Sequence, residues 1–415
     1  MIWIFSTLRA FHGFAGAHLC RALLPLLLFF ASALSGAACR CDDAEAPREE
    51  DVALDDSDDS PIAGAIQGAF AVSSTGAFTV KNEYDAYGHL TKVWDPANKS
   101  KGSVSYWQVA HTDSADRITA ESFGNGFTTT RTYFDDKGSL KSVHTAKDAQ
   151  TPVQDLAYEY DAKLNLLSRH DALQAQNTTE LFQYDALDRL TCSSFSGAAI
   201  CPKADSYTYA PDGNLRTKPG ISGTYAYDLN HPHAVQTAGA DSFTYDPVGN
   251  QITRSGTTVT YTAFDMPKAF TPAPGQGGLP VTLDYDGDQR RVRKTAGDEV
   301  TVYAGGLYER TTNTKTGAAE HRYFVHGSER VVAVVTRSSA PVSEEKTRYL
   351  HVDNLGSVET VTDQTGSKSA EKRSYDAFGA RRNPIWGAAP VAFSSLTTRG
   401  FTGHEDDEEL ERRTG

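Results

Sequence analysis

The sequence predicts an all-β protein in which stacked β-hairpins form a spiralling strip or partial shell. Three observations carry this prediction. An aromatic pair followed by Asp and a glycine-type turn recurs along most of the 415 residues. Tyr and Phe number 19 each, whereas Met occurs only twice. Few apolar stretches at helical spacing lie outside the N-terminus, so turn-rich β structure is favoured.

Residues 1–38 have the order of a secretory signal peptide: basic, apolar, then small residues. The apolar part is short and interrupted by Pro25, which disfavours a membrane span. We therefore expect a signal helix and an exported chain, secreted or associated with the outer surface. An uncleaved anchor and an artefactual start site are the alternatives. Cys39 also suggests a lipoprotein acylated at that residue, although Gly36 stands where a lipobox prefers Leu.

Residues 39–61 are predicted to be a disordered acidic linker. Within them, the run from Asp42 to Asp59 carries nine of the thirteen net negative charges and few apolar residues to bury, so the segment repels itself. Calcium binding is the alternative, but the Asp-x-Asp-x-Asp-Gly spacing is missing. The remaining chain is nearly neutral and has no basic stripe, which disfavours a nucleic-acid partner. A short N-terminal segment follows at residues 62–77.

Residues 78–345 contain the repeats, and each repeat is interpreted as one β-hairpin. The rings of Phe243 and Tyr245 alternate at period two and so share one strand face. Asp246 is expected to accept hydrogen bonds from the turn backbone, and Gly249 and Asn250 to supply left-handed dihedral angles. Since a lone hairpin is marginal in water, successive hairpins must stack edge to edge.

The positions that we assign to this repeated structure recur from the first hairpin to the last. They are Tyr84, Asp85, Gly88, Asp135, Gly138, Tyr160, Asp161, Tyr184, Asp185, Tyr209, Asp212, Gly213, Tyr227, Asp228, Tyr245, Asp246, Gly249, Tyr285, Asp286, Tyr375, Asp376 and Gly379.

The repeat resembles the YD repeat of the Rhs family, whose usual form is Tyr-Asp, two residues, then Gly-Arg-Leu or Gly-Asn-Leu. Residues 184–191 and 211–215 are close copies. Residues 346–410 look like an incomplete Rhs-associated core, and residues 411–415 are a tail. The resemblance implies a β-strip wound into a hollow shell around a toxin, as in bacterial polymorphic toxins and insecticidal toxin complexes. The related teneurins use a similar shell in adhesion.

Three classes of function follow. The first is a non-enzymatic scaffold, part of a shell that encloses or presents a toxin, with toxin cargo or other toxin-complex subunits as partners. The resemblance implies that the cargo and the paired Asp-Pro self-cleavage motif lie outside this sequence, since Asp246-Pro247 occupies a repeat turn. The second is a cell-surface adhesion module for carbohydrate or protein. The third is an enzyme, which is disfavoured because no nucleophile, base and orienting group can be named together.

Cysteine and histidine positions suggest little further chemistry. Cys192 and Cys201 are close enough in sequence to close a small loop as a disulfide between two hairpins. Neither has a Cys or His at ligand spacing, and His231 and His233 are interpreted as a turn, so we expect no metal, cofactor or catalytic residue. A strip that does not close leaves edge strands unpaired, which predicts self-association.

Overall fold

The structure, a computed structural model, describes residues 78–96, 104–148, 151–174, 178–195, 201–339, 344–366, 369–389 and 395–411. The predicted signal peptide, the acidic linker with Cys39, and the short segment 62–77 lie outside these residues. Within the described part, no helix is long and apolar enough to cross a membrane.

Antiparallel strands, each paired within its sheet with its neighbours in sequence, hold about half of the described residues, and turns and loops hold most of the rest. The first sheet has the order β1 to β10: Lys81–Tyr84, Leu90–Asp95, Val104–Thr112, Ile118–Phe123, Thr128–Tyr133, Leu140–Ala146, Pro152–Tyr160, Leu166–Asp171, Thr179–Tyr184 and Leu190–Ser194. A two-stranded sheet follows, with β11 at Thr208–Tyr209 and β12 at Leu215–Thr217.

A larger sheet continues in the same manner. It has the order β13 to β27: Tyr225–Tyr227, Val235–Ala238, Asp241–Tyr245, Gln251–Arg254, Thr257–Tyr261, Pro267–Pro272, Val281–Tyr285, Arg291–Ala296, Glu299–Ala304, Tyr308–Asn313, Ala319–His326, Val331–Ser338, Glu344–Val352, Val358–Asp363 and Ser369–Lys372. The last sheet pairs β28 (Ser374–Tyr375) with β29 (Arg381–Arg382). Among the described residues, the helical pieces are two 3₁₀ turns, Lys203–Asp205 and Phe401–Gly403, and the one-turn helix α1 at Glu408–Glu411.

Neither large sheet closes into a barrel, because its first and last strands do not pair with each other. The predicted all-β strip of consecutive hairpins is thus confirmed. Since successive strands are antiparallel, the connections alternate between the two edges of the strip. The motif turns from Asp85 to Asp353 each join an odd-numbered strand to the next even-numbered strand, so these turns share one edge, which we call the motif edge. The turn at Asp376 joins β28 to β29 in the last, separate sheet.

The largest buried apolar cluster of the described residues lies where the first sheet packs on the larger one. Trp107 of β3 and Phe123 of β4 are buried with Tyr323 of β23 and Tyr349 of β25. Strand β24 is buried on both faces, because Ala333 and Val335 face this cluster while Val334 packs on the other side with β25 and β26. Two-sided burial explains why this strand is a continuous apolar run.

A β-bulge recurs beside the motif tyrosine in many hairpins. Thr244 pairs with Thr253, but Tyr245 pairs with Gln251, so one residue of the second strand is skipped. Tyr84, Tyr133, Tyr160, Tyr227 and Tyr285 show the same register shift. Since a bulge bends a strand and increases its twist, repeated bulges at one edge give the strip a repeated bend.

Candidate functional site

The motif aspartate closes its turn with two backbone hydrogen bonds. Oδ1 of Asp246 accepts from the backbone N–H groups of Val248 at 3.1 Å and Asn250 at 2.8 Å. Gly249 has a φ of 95°, which a residue without a side chain adopts at low cost. Asn250, which we also expected to be left-handed, is not among the positive-φ residues described. A single left-handed residue is therefore enough for this turn.

The same arrangement recurs around other aspartates, all but Asp376 along the motif edge. Carboxylates that accept from the backbone two and four residues ahead belong to Asp85, Asp113, Asp161, Asp185, Asp286, Asp353 and Asp376. The turns at Asp113 and Asp353 were not recognised as repeats in the sequence. Gln289 and Leu164 are left-handed where other turns have Gly, so a search for Gly at that position misses such turns.

The fourth residue after the aspartate supplies a further bond. Nε of Arg189 donates to Oδ2 of Asp185 at 2.7 Å, and Nδ2 of Asn250 donates to Oδ2 of Asp246 at 3.1 Å. The hydrogen bond from Arg189 lowers the pKa of Asp185. This contact explains physically why Arg or Asn follows the Gly position, since both carry side-chain N–H donors.

In many hairpins the motif tyrosine joins its hairpin to the one before it. The hydroxyl of Tyr245 donates to the carbonyl oxygen of Val235 at 2.9 Å, across the boundary between two hairpins. Equivalent bonds run from Tyr133 to Ile118, Tyr184 to Leu166, Tyr209 to Leu190, Tyr227 to Leu215, Tyr261 to Gln251 and Tyr285 to Pro267. We call this series the tyrosine ladder.

The tyrosine ladder continues where the sheets are interrupted. Tyr209 lies in the two-stranded sheet, and its hydroxyl reaches Leu190 of the first sheet at 2.8 Å. Tyr227 begins the larger sheet and reaches Leu215 of the two-stranded sheet at 2.7 Å. These two side-chain bonds therefore keep the hairpins in series across both boundaries.

Several of the predicted positions differ from this pattern. Phe134, not Asp135, begins its turn, since the Phe134 amide donates to Ser139 and the Gly138 amide donates back to Phe134. That loop is one residue longer than the others, although Gly138 is still left-handed. Asp212 lies inside its turn and accepts from the Asn214 amide at 3.0 Å.

The turn of Asp212, the turn of Asp228 and the hydroxyl of Tyr160 also depart from the common pattern. Ala210 occupies the aspartate position of the turn that contains Asp212 and Gly213. Asp228 caps a longer loop through Asn230 and His231. The hydroxyl of Tyr160 lies 3.4 Å from Nδ2 of Asn354, so it accepts from the C-terminal part of the chain.

The described residues of 369–411, which we call the C-terminal clasp, bind back to the first sheet through buried charges. Arg382 donates to both oxygens of Glu180, at 2.8 Å and 2.6 Å, and Arg169 donates to the same carboxylate at 2.6 Å. Glu180 is fully buried. Burial alone would raise the pKa of Glu180, but the two arginines lower it to about 2.

The clasp also binds the larger sheet. Arg291 of β20 pairs with Asp407 at 2.8 Å and with Glu405. Lys294 of the same strand reaches Asp407 at 3.0 Å and Glu409 at 3.2 Å. Side chains of the clasp therefore hold strands from both large sheets.

Arg373 organises the clasp from within. It is almost fully buried, and it donates to Glu371 at 2.7 Å and to the carbonyl oxygens of Arg399 and Thr397 at 2.6 Å and 2.9 Å. A buried guanidinium with this many acceptors fixes the path of the chain around it.

The structure joins Cys192 of β10 to Cys201 in a disulfide, with the two Cα atoms 5.9 Å apart. The pair closes the connection between the first sheet and the two-stranded sheet. In the described part of the chain, no group of three or more His, Cys, Asp or Glu residues is arranged to hold a metal ion.

The chain is similar to one known protein family and to several solved structures. A family model described as teneurin YD-shell matches residues 66–382. No curated protein matches the chain. The crystal structure of TcdB2-TccC3-Cdc42 matches with a TM-score of 0.63 and 19% identity over 80% of this chain and 18% of that one.

A structure of the Photorhabdus luminescens Tc holotoxin pore, carrying a TccC3 mutation, gives a TM-score of 0.60 at 19% identity over 81% of this chain and 18% of the other. At these identities the likeness concerns the fold. The chain spans 18% of the length of the solved chains that it matches.

Proposed function

Because the chain belongs to the teneurin YD-shell family, we propose that it is a non-enzymatic, exported section of a β-shell that encloses or presents a toxin supplied by another polypeptide. One observation carries this proposal. The motif aspartates bind their own turns and the motif tyrosines bind the preceding hairpin. The recurring aspartates and tyrosines of the motif thus serve the architecture of the chain.

The buried charges support a structural role in the same way. Glu121 accepts from Trp107, Arg131 and Arg330 and is fully buried. Glu180 is held by Arg169 and Arg382. Carboxylates that are enclosed and paired with two cations are poorly placed to exchange protons with a substrate, whereas they suit a wall that must keep its form.

The solved structures suggest the class of partner. TcdB2 and TccC3 occur together in their crystal structure, and TccC3 is part of a Tc holotoxin pore. By analogy with these assemblies, we propose that this strip pairs with further shell strands from another polypeptide and that the joined wall surrounds the cargo.

Electron cryo-microscopy of the full chain purified from its native host tests this proposal. We expect a strand of another polypeptide on the outer edge of β1, and unassigned polypeptide density against one face of the strip. Particles that contain this chain alone, with β1 unpaired, would contradict the shell assignment. In that case, retention of the chain on intact cells or on a glycan array would favour the adhesion module.

Export is tested separately. N-terminal sequencing of the mature protein and mass measurement of its first peptide distinguish a cleaved signal peptide from an acylated Cys39. A cytoplasmic protein that begins at Met1 would overturn the proposed localisation.

A further inference from the structure

A polar cleft of about 410 Å³ lies between strands β20–β25 and the clasp. Its floor is formed by side chains of the larger sheet, among them Thr311 and Glu309, and its wall by clasp residues that include Thr398 and Glu405. A cleft of this volume accommodates one or two amino-acid side chains. No part of the repeat architecture described above accounts for it.

Glu309 is the unusual group of this cleft. It is 1% exposed, and among the described residues its closest polar contacts are long: Arg399 at 3.4 Å, Thr398 at 3.5 Å and Arg322 at 3.8 Å. A buried carboxylate normally has short charge-assisted bonds of about 2.7–2.9 Å. Within the described part of the chain, Glu309 therefore lies in the cleft without a close partner.

The cations around Glu309 are engaged elsewhere. Arg322 pairs more closely with Glu320, and Lys294 binds Asp407 at 3.0 Å. The guanidinium of Arg399 lies over the ring of Phe324, 4.4 Å from its centroid. None of the three gives Glu309 a short ion pair.

The carboxylate of Glu405 makes the surroundings of Glu309 still more negative. Burial and the charge of Glu405 raise the pKa of Glu309 to about 7. Glu405 itself accepts from Tyr303 at 2.9 Å and pairs with Arg291, so it cannot turn away from the cleft without losing both. A cation that enters the cleft would satisfy Glu309 and favour its ionised form.

We propose that this cleft binds a basic side chain of an extended peptide, with the carboxylate of Glu309 as its partner. A guanidinium fits better than an ammonium, since its planar N–H groups bind both oxygens of one carboxylate. The inference deepens the proposed function, because a peptide held here is a segment of the enclosed or neighbouring polypeptide. The binding itself is a property of this chain alone.

The test uses the full chain and a short acetylated Arg-Gly peptide, with a citrulline-Gly peptide as the matched control. Citrulline keeps the shape of arginine and most of its N–H groups but has no charge. Binding is measured by fluorescence anisotropy at about pH 8, where Glu309 is largely ionised. We expect the arginine peptide to bind and the citrulline peptide to bind about tenfold more weakly, as expected when one charge-assisted bond is lost.

Two variants assign the binding to the cleft. Glu309→Gln should weaken the arginine peptide about tenfold, whereas Glu83→Gln, which removes a charge on β1, should have no effect. Thr311→Arg should abolish binding, because its own guanidinium fills the cleft. This second variant still tests the proposal if Glu309→Gln disturbs the fold. Equal binding of the two peptides, or an unchanged affinity in both cleft variants, would overturn the proposal. Neither outcome bears on whether the chain forms part of a shell.

Discussion

The buried glutamates show how neighbours decide the charge of a carboxyl group. Burial alone raises the pKa of any carboxyl group. Glu121 and Glu180 each face two arginines, and the pKa of each falls to about 2. Glu309 faces another carboxylate and only distant cations, and its pKa rises to about 7. Residues of one type therefore have opposite effects on how stability depends on pH.

Glu180 makes the protein sensitive to acid. The pKa is lower in the folded chain than in the unfolded chain, so the stabilisation is complete above about pH 4.5 and disappears as the pH falls towards 2. Glu180→Gln should cost on the order of 3 kcal/mol at neutral pH, because Arg169 and Arg382 are left without a counter-charge. Urea unfolding between neutral and acidic pH measures this. A loss equal to that of the control variant Glu83→Gln, at a half-buried carboxylate of β1, would contradict it.

Glu309 should act in the opposite direction. The pKa is higher in the folded chain than in the unfolded chain, so folding binds a proton between about pH 4.5 and pH 7 and stability falls as the pH rises through this window. Glu309→Gln should leave stability unchanged at about pH 4.5 and increase it at about pH 8, since the neutral amide has no charge to bury. Thermal unfolding of both proteins across this window gives the comparison. A variant less stable than the parent at the higher pH would refute this assignment.

At the scale of the hairpin, the tyrosine ladder matters most where backbone pairing stops. Tyr227→Phe removes the bond to Leu215 between two sheets, whereas Tyr245→Phe removes the same bond inside one sheet. Each change should cost about 1 kcal/mol. Only the first should increase amide hydrogen exchange in β11 and β12, because these short strands have few other bonds. Equal exchange in the two variants would show that the ladder does not hold the junction.

The disulfide belongs to the same junction. We expect no free thiol at Cys192 or Cys201 in the denatured, unreduced exported protein, and two after reduction. Reduction should increase proteolysis in the connection between β10 and β11, since opening the loop frees the chain there. Titration of both thiols without a reductant would rule out the bond.

Sequence reasoning predicted the parts of the hairpin that are local. The cap by Asp246 and the left-handed Gly249 follow from residues within one turn. The acceptor of Tyr245 does not, because it is a backbone carbonyl of the preceding hairpin and leaves no side-chain signal. The contact of Glu180 with Arg382 joins residues 202 positions apart, and no spacing rule reaches that far. The clasp and the cleft were missed for this reason.

At the scale of the whole molecule, the open strip presents unpaired backbone. Within the described part of the chain, neither large sheet closes and β1 pairs with a strand on one side only. An unpaired edge is a template for further strands, so the full chain alone should associate as its concentration rises. Sedimentation velocity across a concentration series, with hydrogen exchange of β1, provides the measurement. A monodisperse monomer with fully protected β1 amides would exclude association through this edge.

Because the motif turns share one edge, the two edges of the strip tolerate different insertions. One residue inserted beside Tyr245 would shift the bulge and turn the rest of its strand to the opposite face. A tag inserted in the connection at residues 273–280, on the other edge, would leave every aspartate turn and tyrosine bond in place. Labels, affinity handles and extra binding loops can therefore be added along that side while the winding of the strip stays the same.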